Sequence, residues 1–118
     1  MDRFLAIVLA SYLLRLDDLR NAFESCQRQL SSKIDVETFC NFLVEGGILT
    51  EWQGDKLRQG CYRGYFFGNY KLLGPVVNEC NHYYAQDLTT GHRVELALTP
   101  AKRAEDIKYI VIEEFDEA

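Results

Sequence analysis

"LTEWQGDKLRQGCYRGYFFGNYKLL", residues 49–73, is the stretch in which the character of the chain changes. It opens with a helix start and continues with four glycines interleaved with five tyrosine or phenylalanine residues. Thr50 and Gln53 match a capping box, in which each side chain accepts a hydrogen bond from the other residue's backbone amide. We therefore expect a helix over about residues 51–58 that ends at Gly60, followed by a joint between two parts of the chain.

Residues 1–60 have helical periodicity, with apolar residues at steps of three and four. Asp35 is expected to cap the third helix, and the pair Gly46 and Gly47 to end it in a left-handed turn. The inward-facing residues of the first three predicted helices are Phe4, Ile7 and Val8; Leu16, Leu19, Phe23, Cys26 and Leu30; and Val36, Phe39, Cys40 and Leu43.

A weak internal repeat relates the two halves of this helical part. Placing residues 4–14 over residues 39–49 aligns apolar residues at an offset of 35. Two helical hairpins, each too small to bury its own apolar face, would then pack against each other.

Residues 61–118 have the composition of strands rather than helices. Four runs are rich in β-branched and aromatic residues, and "TTG" between the second and third is a hairpin signal. Pro75 is expected at a sheet edge or a bulge. The four runs are "YKLLGPVV" (70–77), "HYYAQDL" (82–88), "HRVELALT" (92–99) and "IKYIVIEEF" (107–115). The chain is thus predicted to be α+β, with four short helices in residues 1–60 and an antiparallel meander of about four strands in residues 61–118.

Composition and charge limit the classes of function. The chain has 118 residues, of which 47% are hydrophobic and 26% charged, as in a folded globular domain. A net charge of −5 disfavours nucleic acid as a partner, since phosphate attraction supplies most non-specific binding. The apolar N-terminal run passes into an amphipathic helix and is too short to span a bilayer, so no membrane insertion is expected.

The four cysteines are scattered and contain no CxxC pair. Two of them, Cys26 and Cys40, fall on predicted apolar stripes, where thiols pack as small apolar residues. This pattern favours a reducing compartment, and we expect a cytoplasmic protein.

The run "GGILTEWQGDKLRQGCYRGYFFGNYKLLGPV" (46–76) resembles the junction in planctomycete-type bacterial serine/threonine protein kinases. In that family a small helical region passes through a Gly- and aromatic-rich linker into the first strand of the kinase N-lobe. The resemblance implies that the opening stretch is a joint, and that the later strands are similar to the second and third strands of that lobe and the strand leading to the hinge.

The sequence departs from this family where catalysis would need it most. The family's glycine-rich loop, whose backbone cradles nucleotide phosphates, corresponds to "VVNECNH" (76–82), which has no glycine. The position of the family's third-strand lysine falls at Ala97. Only "AKRAED" (101–106) separates the third strand from the last, and no catalytic lobe is present in this sequence. The resemblance therefore implies a degenerate N-lobe that has no catalytic residues and binds no cofactor.

The sequence contains the residues for two chemical sites but favours neither. Cys80, His82 and His92 could form a metal site, but the spacing suggests no fourth ligand. Cys80 as a nucleophile would need an activating base and an orienting group, which the sequence places only by coincidence of composition.

The aromatic residues of the joint have two interpretations. They could bury the interface between helices and sheet, or some could form a hot spot for a partner, where Tyr is favoured. The last strand is a predicted sheet edge, and the acidic tail "EEFDEA" (113–118) would protect that edge or recruit a basic partner. The residues predicted to bind a partner are Tyr62, Tyr65, Phe66, Phe67, Tyr109 and Val111.

From these features we expect a non-enzymatic protein–protein interaction, scaffold or assembly subunit derived from a kinase N-terminal region. Its partner would be a protein or a larger protein assembly, and a homodimer formed along the sheet edge is one version. The alternative is a regulatory pseudokinase fragment that binds a kinase or a nucleotide.

Overall fold

The structure, a computed structural model, describes residues 1–30, 33–98 and 109–115, the last of these by backbone alone. Four helices precede an antiparallel meander, which confirms the predicted α+β class. The elements are α1 (Asp2–Ser11), α2 (Leu16–Gln29), α3 (Val36–Glu45), α4 (Glu51–Arg58), β1 (Phe66–Phe67), β2 (Tyr70–Pro75), β3 (His82–Asp87), β4 (Arg93–Leu98) and β5 (Tyr109–Phe115). The chain divides into two compact units, Met1–Arg63 with the helices and Gly64–Ala118 with the sheet.

The predicted helix ends are confirmed for α3 and α4. Asp35 Oδ1 accepts a hydrogen bond from the backbone amide of Thr38 at 2.8 Å. The Thr50 hydroxyl accepts from the amide of Gln53 at 3.1 Å, and Gln53 Oε1 accepts from the amide of Thr50 at 2.9 Å, which completes the capping box. Beyond α3 the backbone of Gly47 is left-handed, with φ +74°. These contacts satisfy amides and carbonyls that a helix leaves without partners at its ends.

The core of the helical unit is centred on Phe39, whose side chain is fully buried. Its ring meets those of Phe4 and Phe23 edge to face, with centroids 6.4 and 5.2 Å apart. The other buried apolar residues of this unit are Val8, Leu19, Ala22, Cys26, Cys40, Leu43, Leu49 and Leu57. Most of the predicted inward-facing positions therefore do line the core.

Leu16 is the exception, since the sequence placed it on the apolar stripe of α2 but it is 53% exposed. The buried face of α2 is formed by Leu19, Ala22 and Cys26. At about 100° per residue, Leu16 lies roughly a quarter-turn around the helix from the centre of that face. Its apolar side chain therefore projects outward at the start of α2.

The predicted repeat extends further than the aligned apolar residues suggested. Val8 and its equivalent Leu43 are both fully buried. The left-handed residues that follow α1 and α3, Tyr12 and Gly47, are 35 positions apart, with φ +62° and +74°. The N-caps of α2 and α4, Arg15 and Thr50, are also 35 positions apart. The unit is thus built of two helical hairpins with equivalent turns.

The sheet has the order β1-β2-β3-β4-β5, and every neighbouring pair is antiparallel. Strands β2 to β5 are the four that the sequence predicted. The first strand was missed because it has only two residues, joined to β2 by a two-residue turn in which Gly68 takes φ +57°. A left-handed glycine is characteristic of such tight hairpin turns.

Pro75 lies where the sequence predicted, at a strand end just past a bulge between Leu72 and Gly74. The amide of Val76 donates to the carbonyl of His82 on β3 at 2.9 Å. Since successive amides of a strand point to opposite edges, the nitrogen of Pro75 faces the edge away from β3. No ladder hydrogen bond with β3 is therefore lost to the proline.

Asp35 gives the helical unit a dependence on acid pH. Hydrogen bonds from Thr38 lower the pKa of Asp35 below its ordinary value. Because the folded pKa is below the unfolded one, the ionised cap stabilises the fold above about pH 4, and this contribution is lost as the pH falls through the folded pKa. Urea unfolding of wild type and Asp35→Asn should show a steeper loss of stability in the wild type below about pH 4, since asparagine caps without ionising. Equal slopes for the two proteins would contradict this role.

Candidate functional site

The aromatic joint contributes one clearly exposed ring. Tyr62 is 43% exposed, and the guanidinium carbon of Arg63 lies 5.0 Å from the centroid of the Tyr62 ring. An amphipathic ring with a stacked cation is a common component of protein interfaces. Among the aromatic residues of the joint, Tyr62 therefore offers the most accessible surface.

The other three residues of the joint that were predicted to bind a partner belong to the sheet unit. Tyr65 is only 2% exposed, and its carbonyl accepts a hydrogen bond from the amide of Leu72 at 2.7 Å. Phe66 and Phe67 form β1 and are half-buried. Tyr65 therefore has a structural role, and the two phenylalanines retain part of their surface.

The last strand, β5, forms one end of the sheet. It pairs with β4 alone, with Tyr109 opposite Leu98 and Val111 opposite Leu96. Within the part of the chain that the structure describes, no strand pairs with its outer edge. Seven consecutive residues of β5 therefore form a strand edge onto which an extended segment could be added. The acidic residues Asp116 and Glu117 lie outside the described residues.

The three residues of the disfavoured metal site take separate roles. His82 Nδ1 lies 3.2 Å from Glu95 Oε2 across the β3–β4 pair, and both side chains are partly buried. Cys80 is exposed in the preceding loop, and the backbone amide of His92 donates to the hydroxyl of Thr90. Across residues 1–30, 33–98 and 109–115 there is no group of three His, Cys, Asp or Glu residues arranged to hold a metal ion.

The loop between β2 and β3 is the stretch that the sequence comparison set against the phosphate-binding loop of kinases. It contains no glycine, yet Asn78 and Asn81 both have left-handed backbones, with φ +66° and +61°. Asparagine tolerates this conformation better than most residues with a side chain. The loop therefore achieves its turn with side chains present, and Val77 at its tip is 80% exposed.

Two of the four cysteines belong to the core. Cys26 and Cys40 are free and buried, and burial raises the pKa of both thiols. A raised pKa leaves less of the reactive thiolate at neutral pH. These two residues thus pack as small apolar side chains, as their helical spacing indicated.

Sequence reasoning missed an exposed apolar surface on the helical unit. Tyr12 and Leu16, in the α1–α2 turn and at the start of α2, are 83% and 53% exposed. The same unit also has a groove of about 470 Å³, which is lined by Leu14, Asp18, Asn21, Ala22, Ser25, Gln29, Phe42 and Ile48. The position of Tyr12 was predictable from the repeat, because the repeat aligns Tyr12 with the left-handed Gly47 of the second hairpin.

Comparison with known proteins identified no relative of this chain. No protein family matches the chain, and no similar curated protein or solved structure was found. Among the described residues, no helix is long and apolar enough to cross a membrane.

Proposed function

We propose that this chain is a non-enzymatic interaction module that binds a protein partner, or joins a larger assembly, along the outer edge of β5. The observation that carries the proposal is the seven-residue strand at the end of the sheet, with one edge paired to β4 and no strand on the other among the described residues. Such an edge presents amides and carbonyls to an incoming strand. The partner is a protein segment in extended conformation, and a second copy added edge to edge is the homodimer form of the same contact.

The resemblance to a kinase N-terminal region supports a binding role over a catalytic one. The position of the family's nucleotide-binding lysine is Ala97, which pairs with His82 in the β3–β4 ladder and has no charge. The loop that would cradle phosphates has side chains at its left-handed positions, where close approach of a phosphate to the backbone needs glycine. The free, buried Cys26 and Cys40 support a cytoplasmic setting.

Proline substitutions on β5 test the edge directly. Ile110 and Val111 pair with consecutive residues of β4, so their amides point to opposite edges of the strand. One of Ile110→Pro and Val111→Pro therefore removes a ladder hydrogen bond and destabilises the sheet, and the other removes only an outward amide. We expect the variant with near wild-type stability to lose the bound partner in quantitative cross-linking and capture from the native organism. Tyr62→Ala should weaken capture less, since Tyr62 lies outside the edge.

Two results would count against the proposal. One is partner capture that is unchanged in the stable proline variant. The other is thermal stabilisation of the isolated chain by ATP and magnesium, because a ligand that binds the folded state raises its melting temperature. That second result would favour the alternative, a pseudokinase fragment that binds nucleotide.

A further inference from the structure

Charged residues are confined to one end of the β5 strand. Residues 109–112 are uncharged, whereas residues 113–118 contain four carboxylates and no basic residue. A bulge divides these two parts, because Leu96 pairs with Val111 and Glu95 with Glu113, which leaves Ile112 as the extra residue. We name residues 109–112 the apolar end of the strand and residues 113–117 its acidic end.

The register with β4 does not offset the charge of the acidic end. Glu113 lies directly opposite Glu95, and like charges at directly opposite positions of an antiparallel pair disfavour each other. The charges of Arg93 and Glu95 cancel within β4, so the two carboxylates of β5 leave this pair of strands with a net negative charge. A segment added to the open edge therefore meets a negative potential at the acidic end.

A second copy of β5 would bring more negative charge to this edge. Residues 107–118 contain one basic residue, Lys108, and four carboxylates, a net charge of −3. Two such segments side by side repel each other, because juxtaposed like charges oppose association. Of the two forms of the contact proposed above, the charge pattern therefore favours a different chain over a homodimer.

The uncharged end of β5 leaves part of the edge open to strand addition. Charged residues on an edge strand discourage other strands from pairing with it. Here the backbone amides and carbonyls of residues 109–112 belong to residues without charge. An incoming segment whose charge complements the acidic end could pair along both parts, whereas a neutral or acidic one could not. The acidic end would thus select among extended segments by their charge.

We propose that the β5 edge binds an extended protein segment that is basic in one half and apolar in the other, with its basic half against the acidic end. This inference rests on the function proposed above, because it names the partner of the same edge. Every neighbouring pair of strands in the sheet is antiparallel. Continued in the same way, the basic residues lie in the N-terminal half of the segment and the apolar residues in its C-terminal half.

Three synthetic peptides test the charge of the segment on the full-length chain. Each has about nine residues, alternates threonine with valine in its second half, and alternates threonine with lysine, glutamine or glutamate in its first half. Fluorescence anisotropy from about 1 µM to about 500 µM protein should give the lysine peptide a dissociation constant about tenfold or more below that of the glutamine peptide, with the glutamate peptide weakest. The advantage of lysine should shrink in about 0.5 M salt, because salt screens exposed charges.

Charge reversal on β5 tests the position of the contact. The double variant Glu113→Lys, Glu114→Lys should reverse the order, so that the glutamate peptide binds best. The matched control is Asp17→Lys, Glu24→Lys, which makes the same change in net charge at exposed residues of α2 and should keep the wild-type order. Circular dichroism checks that each variant is folded. If the lysine variant is not folded, Glu113→Gln, Glu114→Gln should instead abolish the advantage of the lysine peptide.

The outcomes separate this inference from the function on which it rests. Equal binding of all three peptides would overturn the charge selection and leave strand addition at β5 standing. A reversal of the order in the α2 control as well would show that net charge alone attracts the lysine peptide, and would overturn the proposal. So would undiminished binding of the lysine peptide to the stable β5 proline variant, which would place the site elsewhere. Binding of none of the peptides would count against both the proposed function and this inference.

Discussion

Replacing Phe39 with alanine is expected to lower the free energy of unfolding by about 3–5 kcal/mol. The side chain is fully buried and lies where α1, α2 and α3 meet, with edge-to-face contacts to Phe4 and Phe23. Removing the ring leaves a cavity among aromatic rings whose backbones are held by capped helices, so the surroundings collapse only in part. A loss of this size is a large fraction of the stability of a small domain.

Phe42→Ala is the matched control, because Phe42 lies one turn further along α3 and is only half-buried. We expect it to cost roughly 1–2 kcal/mol, in proportion to the smaller area that it removes from water. Urea unfolding followed by far-ultraviolet circular dichroism measures both changes. Equal losses for Phe39 and Phe42 would mean that Phe39 is not the centre of this core.

A double-mutant cycle with Phe23→Ala separates the ring contact from general burial. The Phe39–Phe23 centroids are 5.2 Å apart at an interplanar angle of 87°, a geometry that contributes about 0.5–1.5 kcal/mol beyond burial. The two single changes should therefore sum to more than the double change by about that amount. Simple additivity would indicate that the edge-to-face contact contributes nothing of its own.

The helices and main strands were predictable because their signals are local. The hydroxyl of Thr50 and the carboxylate of Asp35 meet backbone amides three residues away, so spacing alone determines both caps. The predicted "TTG" hairpin is held in the same way, since Asp87 Oδ1 accepts from the amides of Thr89 and Thr90. Strand β1 escaped prediction because two residues are too few to produce a periodic pattern.

The candidate surfaces were harder to predict, because the exposure of a side chain depends on which face of its helix or strand it occupies. Leu16 fits a three-residue step before Leu19, yet lies off the buried face of α2. The burial of Tyr65 and the exposure of Tyr62 are likewise indistinguishable in a run that alternates aromatic residues with glycine and arginine. The repeat, however, is visible in the sequence. It aligns Tyr12 with Gly47, a glycine expected to be left-handed, and so indicates that Tyr12 takes the same strained backbone conformation.

Gly54 lies at a tight contact between α3 and α4, and a larger residue there should be destabilising. A Cβ atom at this position would lie 3.0 Å from Cys40 Sγ and 3.0 Å from Val44 Cγ2. The thiol of Cys40 also donates to the carbonyl of Gly54 at 3.5 Å, so the two helices meet backbone to side chain. Glycine in a helix interior costs about 1 kcal/mol relative to alanine, so its presence here indicates that packing outweighs propensity.

We expect Gly54→Val to lower the free energy of unfolding by about 1–3 kcal/mol, because the added carbons force α3 and α4 apart. The loss should shrink in a Cys40→Ala, Val44→Ala background, where both obstructing groups are gone, and a thermodynamic cycle measures this coupling. Gly60→Ala is the control, because the backbone of Gly60 has φ +90° and nothing lies within 4 Å of the added carbon. Any loss of stability in this variant comes from backbone conformation. It should therefore be the same in the wild type and in the Cys40→Ala, Val44→Ala background. In this explanation glycine is required because the side chains of Cys40 and Val44 leave no room for a larger residue. The explanation would be wrong if Gly54→Val lost as much stability in the Cys40→Ala, Val44→Ala background as in the wild type.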